Sequence, residues 1–462
     1  MDVPHAPGSL PAAQAHPLVS AAPTPQLAAS PTLAHHSDPT AATPVVASEY
    51  WYASGQPRSV SQPGRWSAVV GGVGAAMAVS LNYFKVPPLI PALGRDLGLS
   101  ASDAGALMSV YAVAGLVVAA GPTSWLLARL HPKRTVSLGC ALSAAGALVG
   151  VPGVAAQQLL AARFLEGLGM GIVSVAVVVL LSQWFPAAQR SLPLSLFSTW
   201  MPVGNAGMLY LAPFLLERSG SGWRGVWGAG GGIALAGLVL LEAVARDAPG
   251  AAPAQRSTGT VSTRRGLPTP ALIPRVLDSP AAALAAAFAL FQVSRVASLT
   301  WLPTFFVERG MPLGQAAALA SLNTLITIPL SLVAGALVAW SGSARRIIVV
   351  GLLTSAPALA AVFFAPLSLA APLLMLTGAA TALVPAALNI AAPEARGART
   401  STADAVAMVA AGRNVGLLVG PVAAGIALQT SGHDWALLAW GLTGASLLAA
   451  AVTVLAGRSR AG

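Results

Sequence analysis

The sequence predicts an all-α polytopic membrane protein with twelve transmembrane helices, built as two six-helix bundles related by a parallel internal repeat. Three observations predict it. The 462-residue chain is 55% hydrophobic and only 8% charged, against about 25% charged in a soluble domain. Apolar runs long enough to cross a bilayer, roughly 20 residues at 1.5 Å each, alternate with short polar loops. The second half of the chain repeats landmarks of the first.

Residues 1–65 are rich in Pro, Ala, Ser and Thr and show no periodicity. They are expected to be a disordered tail, without the short apolar core and basic start of a secretory signal. The predicted spans of the first half are 67–90, 103–127, 135–153, 157–185, 193–215 and 225–245. A connector at 246–280 carries too much Pro, Gly, Arg and Ser for a helix in lipid and divides the chain. The second half is predicted to span at 281–305, 314–340, 347–365, 371–391, 403–427 and 435–456. These boundaries define a tail (1–65), an N-terminal bundle (66–245), a linker (246–280), a C-terminal bundle (281–456) and a short tail (457–462).

The basic residues set the orientation. With the N-terminal tail inside, the inner segments hold seventeen Lys and Arg residues and the outer loops only Arg95, Arg218, Arg224 and Arg309. Such an excess marks the cytoplasmic side, and both termini on that side require an even number of spans. The expected location is the cytoplasmic (inner) membrane. The net charge of +11 does not point to nucleic acid, because its basic residues are scattered singly and in pairs between apolar helices.

The repeat has a small and nearly constant shift. At 212 residues Pro91 falls on Pro303, Gly98 on Gly310, Ser109 on Ser321 and Gly139 on Gly351. Lys133-Arg134 falls on Arg345-Arg346 at the same shift. At 209 residues Asn205 falls on Asn414 and Gly207 on Gly416, and at 210 Lys85 falls on Arg295 and Asn82 on Gln292. Two parallel six-helix repeats are an architecture of secondary transporters, with the substrate site between the halves near the midplane.

Several stretches carry a family resemblance. Trp125-Leu-Leu-Ala-Arg129-Leu-His-Pro132-Lys133-Arg134 is similar to the loop signature G-x-x-x-D-R-x-G-R-R of the major facilitator superfamily. Trp125 stands in place of its Gly, Arg129 of its Asp and Pro132 of its second Gly, leaving the basic pair. Arg163-Phe-Leu-Glu166-Gly167 resembles that superfamily's R-x-x-x-G signature on the fourth span. Gly416-x-x-x-Gly420-Pro421-x-x-x-Gly425 resembles its glycine-proline signature, and Pro202-Val-Gly204-Asn205-Ala-Gly207 is a looser version. KVPPLIPALGRDLGLS is similar to the cyanate-permease and nitrate/nitrite-porter branches. The resemblance covers roughly 66–456 and implies a transporter of small anions. It also implies a gating role for Lys133 and Arg134.

Charges inside the spans sharpen the reading. Lys85, Arg163, Arg295 and Arg413 lie at depth, with Glu166 the one carboxylate well inside a span. A charge there costs about 2.5–3.5 kcal/mol even on the lenient insertion scale, so it normally faces a partner or a wet cavity. The expected substrate is therefore anionic, clamped between Lys85 and Arg295 with Arg413 approaching from span 11. Guanidinium suits planar oxyanions because it donates two parallel hydrogen bonds. Asn82, Tyr83, Gln292, Asn205, Asn323 and Asn414 are further candidate ligand contacts, although buried amides also bridge helices. Arg163 and Glu166 lie at i, i+3 and form either a structural and gating pair or, through Glu166, a proton-coupling site. Lys85 has snorkelling to the outer surface as its alternative, since it lies close to the predicted end of span 1.

Other chemistry is disfavoured. Cys140 is the lone cysteine, and all six histidines fall in the tail or in loops. No base, metal site or cofactor is expected in the spans, and no P-loop points to ATP. The expected function is secondary active transport of a small organic or inorganic anion, by proton symport or anion exchange. An efflux pump for lipophilic compounds is the alternative on the same fold, and a transport-dead sensor a third reading.

Overall fold

The computed structural model describes residues 64–119, 122–186, 189–218, 220–249, 280–395 and 402–458. Most of the N-terminal tail, the bulk of the linker and residues 459–462 lie outside them. The described residues form helices and turns with no strand. The N-terminal bundle contains α1 (Arg65–Tyr83), α2 (Val86–Leu97), α3 (Ala101–Ala119), α4 (Pro122–Arg129), α5 (Pro132–Gly150), α6 (Ala156–Trp184), α7 (Ser191–Ser198), α8 (Trp200–Arg218) and α9 (Trp223–Val244). The C-terminal bundle contains α10 (Pro280–Glu308), α11 (Leu313–Leu325), α12 (Thr327–Ser341), α13 (Ala344–Phe364), α14 (Ala370–Ala382), α15 (Val384–Ala391), α16 (Thr402–Thr430) and α17 (Trp435–Arg458).

Nine stretches among the described residues are long and apolar enough to cross a membrane. They match nine of the twelve predicted spans. The other three are the α3–α4 pair, α5, and the α7–α8 pair, so the twelve-span layout stands.

Some spans are made of two helices, and the sequence explains one break well. Pro87 and Pro88 have no N–H to give to the preceding turn, so α1 ends and α2 begins at Val86 with Lys85 as its N-cap. The first span therefore runs on to Leu97 rather than stopping near residue 90. Lys85 accordingly sits mid-span and is 0% exposed. That corrects the predicted boundary and removes the snorkelling alternative.

The repeat is visible in the packing. α8 lies on α1 as α16 lies on α10, and α9 lies on α1 as α17 lies on α10. Between bundles, α3 meets α16 while α8 meets α11. In span numbers that is 2 with 11 and 5 with 8, one pairing and its counterpart under exchange of the halves. Small residues permit the close approaches. Gly412, Gly416 and Gly420 sit directly on the Ala285, Ala289 and Val293 carbonyls of α10. Both triplets recur at i, i+4 and i+8, one stripe of each helix.

Contacts between the bundles run from the middle of the spans to the end expected to be outer. Gly105 of α3 abuts Pro421, Gly425 abuts Ala101, and Gly314 faces Pro213. The Ser102 amide donates to Gln429 Oε1 at 3.2 Å.

Candidate functional site

Two polar constellations lie inside the bundles. The first, in the N-terminal bundle, is a closed ionic cluster. Lys85 Nζ lies 2.6 Å from Glu166 Oε1, and Arg163 Nη1 lies 2.6 Å from Glu166 Oε2. The i, i+3 spacing of Arg163 and Glu166 on α6 makes their pair, and the break after α1 delivers Lys85 to the other oxygen. All three side chains are 0% exposed.

The remaining donors of the cluster are also placed. Lys85 Nζ donates to Asn82 Oδ1 at 2.7 Å, and its ammonium stands 4.4 Å from the Trp227 ring centre. Arg163 Nε donates to the Leu107 carbonyl and Nη2 to the Tyr83 carbonyl, each at 3.1 Å. The Tyr111 ring lies 4.3 Å from its guanidinium carbon. Two cations and one carboxylate leave a formal charge of +1, spread over amide, carbonyl and aromatic partners. Such satisfaction is what makes a buried ion cluster tolerable.

The second constellation lies within the C-terminal bundle around Arg295 of α10. Arg295 is part-buried, and its Nη1 donates to Asn323 Oδ1 of α11. The two line a narrow cavity of about 10 Å³, shared with Ser294, Ser298, Thr377 and Ser446. Gln292, one turn before Arg295, packs its Cβ against Gly416 at the α10–α16 contact. Asn414 follows Arg413 on α16 and is half-buried.

Arg413 belongs to neither cluster. On α16, Ala405, Val409, Gly416, Gly420, Ala424 and Leu428 form a buried stripe, and a 3.6-residue period puts Arg413 in its middle. Arg413 is nonetheless exposed. Its exposure therefore faces a gap between packed helices, on the half of α16 away from the contacts that close the outer-expected end.

The structure thus places the predicted residues in separate surroundings. Lys85, Asn82 and Tyr83 join Arg163 and Glu166, while Arg295 and Asn323 form their own pair. Lys85 and Arg295 are not brought together as a clamp, because each is partnered inside its own bundle. Asn205 sits between bundles, accepting from Thr324 Oγ1 at 2.8 Å. Lys133 pairs with Glu242 Oε2 at 2.8 Å and its amide donates to Asp247 Oδ1 at 3.0 Å, while Arg134 is exposed. Sequence reasoning missed Trp227, Tyr111, Ser294 and Thr324. Trp223 and Trp227 at i, i+4 were the available signal for an aromatic wall on α9. The hydroxyls gave none, because serines and threonines are scattered along most of the spans.

The comparisons with known proteins agree with this architecture. The sequence profile described as Major Facilitator Superfamily matches residues 72–403. An uncharacterized MFS-type transporter of Mycobacterium tuberculosis is 25% identical over 263 residues, 57% of this chain and 56% of that protein. The cyanate transport protein of Escherichia coli K12 is 26% identical over 244 residues, 52% of this chain and 58% of its own length. The chain thus spans a little over half the length of these relatives. Among solved structures, a bacterial homolog of the human lysosomal transporter Spinster, in an inward-facing and occupied conformation, shares the fold. Its TM-score is 0.68 at 15% identity, covering 86% of this chain and 98% of that one.

Proposed function

The chain belongs to the major facilitator superfamily, and from that premise we propose that it is a secondary active transporter carrying a small organic or inorganic anion by alternating access. Proton symport and anion exchange both suit the arrangement. The observation that carries the anion reading is the charge placement in the C-terminal bundle. Arg295 and Arg413 lie at depth, whereas the four acidic residues of that bundle, Glu308, Glu394, Asp404 and Asp434, sit at or between helix ends. A mobile anion completes such a charge set where no fixed carboxylate does. The likeness to a cyanate transport protein supports the same reading.

Alternating access would use the two bundles as bodies that rock about the contacts between α3 and α16 and between α8 and α11. Arg413, exposed in the gap, would meet the anion on the way in or out. The N-terminal cluster has its charges paired and is better suited to hold its bundle together than to take substrate. If Glu166 exchanges a proton, it must release Lys85 or Arg163 to do so, which would couple protonation to the packing of α1 on α6. The basic-residue asymmetry supports a cytoplasmic membrane location with both termini and the 246–280 linker inside.

Counterflow in proteoliposomes tests this. The purified chain is loaded in turn with nitrate, cyanate, oxalate and small carboxylates, with Arg413→Gln in parallel. Saturable exchange of one anion class, weakened in the variant, is the expected result. Exchange of a lipophilic neutral or cationic compound with no anion exchange would overturn the reading in favour of efflux.

A further inference from the structure

We propose that the narrow cavity inside the C-terminal bundle is a site for one ordered water, which holds Asn323 in the orientation that positions Arg295. The inference goes beyond the transport reading above and does not depend on which solute is carried. The cavity lies among α10, α11, α13, α14 and α17 and measures about 10 Å³. A single water needs roughly 10–15 Å³ and two to four polar partners. The space admits one water and nothing larger.

The lining offers both donors and acceptors. Arg295 can only donate, so Asn323 turns its carbonyl oxygen to the guanidinium and its amide nitrogen away. That nitrogen, on a side chain 0% exposed, has no partner in the protein. The hydroxyls are the reverse case. Ser298, Ser355, Thr377 and Thr381 donate to the carbonyls of Ser294, Leu352, Leu373 and Thr377, all within their own helices. Ser446 likewise has the Leu442 carbonyl as acceptor at 3.1 Å. Their protons are spent, and what they have left for the cavity is lone pairs.

Water is the ligand that meets these terms. It accepts from the Asn323 amide and donates to the hydroxyl oxygens, whereas a halide-sized anion would face their lone pairs and a metal cation would face the Arg295 guanidinium. The water also decides which way Asn323 points. With the amide reversed, its N–H₂ group would meet the guanidinium donor to donor, and its carbonyl would meet the hydroxyl lone pairs acceptor to acceptor. Asn323 therefore keeps its carbonyl on Arg295, and the water is a positioning ligand for that cation. Hydration satisfies hydrogen bonds and leaves the charge of Arg295 uncompensated, so the charge placement behind the anion reading is unaffected.

Hydroxyl-radical footprinting by X-ray radiolysis of the detergent-purified full chain, read by mass spectrometry, tests this. Radicals made from a bound water oxidise the side chains beside it, even where bulk solvent does not reach. Phe291 and Leu359 line the cavity and are 2% and 4% exposed. They should be oxidised severalfold faster than Phe306 and Leu352, which are 0% exposed and lie outside it. Ser355→Val adds apolar bulk to the lining and removes one acceptor. It should bring Phe291 and Leu359 down to the rate of the controls and lower the thermal midpoint by a few degrees, since the Asn323 amide loses its partner. Ser355→Ala, which leaves the room, should keep most of the oxidation. Equal rates for lining and control residues in the unmodified chain would overturn the water site. So would a raised midpoint in Ser355→Val, the response of a dry cavity to filling. Neither result would touch the transport reading, which stands or falls on counterflow.

Discussion

Thr324 Oγ1 of the C-terminal bundle donates to Asn205 Oδ1 of the N-terminal bundle at 2.8 Å, a side-chain hydrogen bond across the halves near the middle of the spans. Its neighbours on α11 and α8 are mostly apolar, so the bond adds direction to a contact otherwise made by shape. Asn205 Nδ2 is buried without a partner, which makes the residue a poor filler and a better register pin.

Removing that bond should shift the conformational balance rather than unfold the protein. Interhelical hydrogen bonds in membranes average about 0.6 kcal/mol, so Thr324→Val should change the ratio of outer-closed to outer-open forms roughly threefold. Single-cysteine accessibility at the outer-expected ends of α3 and α16 would read the change. An unchanged labelling rate would show that apolar contacts alone set the balance.

Gly105 makes a stronger lever. A side chain there collides with the Pro421 backbone on α16, and backbone cannot swing aside as a rotamer can. Gly105→Leu should hold the bundles apart at the outer-expected end, abolishing counterflow while leaving the chain folded. Gly232, with nothing within 4 Å of an added Cβ, provides the control, since Gly232→Leu should be transport-neutral.

The ionic cluster predicts an order of stabilities. Glu166→Gln leaves Lys85 and Arg163 facing one another without their shared carboxylate, and breaking a buried pair in this way costs about 3–5 kcal/mol. Lys85→Met removes the odd cation and leaves the Arg163–Glu166 pair at 2.6 Å neutral. Thermal unfolding in detergent should therefore fall far more for Glu166→Gln than for Lys85→Met. Equal losses would mean that the cluster is not held by charge.

Arg413 predicts the opposite pattern. It is exposed within the helix gap, so Arg413→Gln should leave the thermal midpoint unchanged while raising the apparent KM for anion counterflow about tenfold or more. A drop in stability without a change in KM would assign it to packing.

The sequence by itself determined the fold class, the span count and the pairing of Arg163 with Glu166. Apolar length, charge scarcity and i, i+3 spacing are local properties, and the bilayer converts them into helices with little further information. The repeat was legible too, because Lys85 over Arg295 and Asn205 over Asn414 needed only a nearly constant shift. Only the tertiary structure decided that Lys85 turns to Glu166, which lies 81 residues away in the chain, and that Arg295 turns to Asn323. The repeat puts Lys85 and Arg295 in equivalent places, yet one bundle offers a carboxylate there and the other an amide and hydroxyls. Which partner a buried cation finds depends on the side chains that neighbouring helices present at the same depth, and no shift or spacing along one strand of sequence contains that.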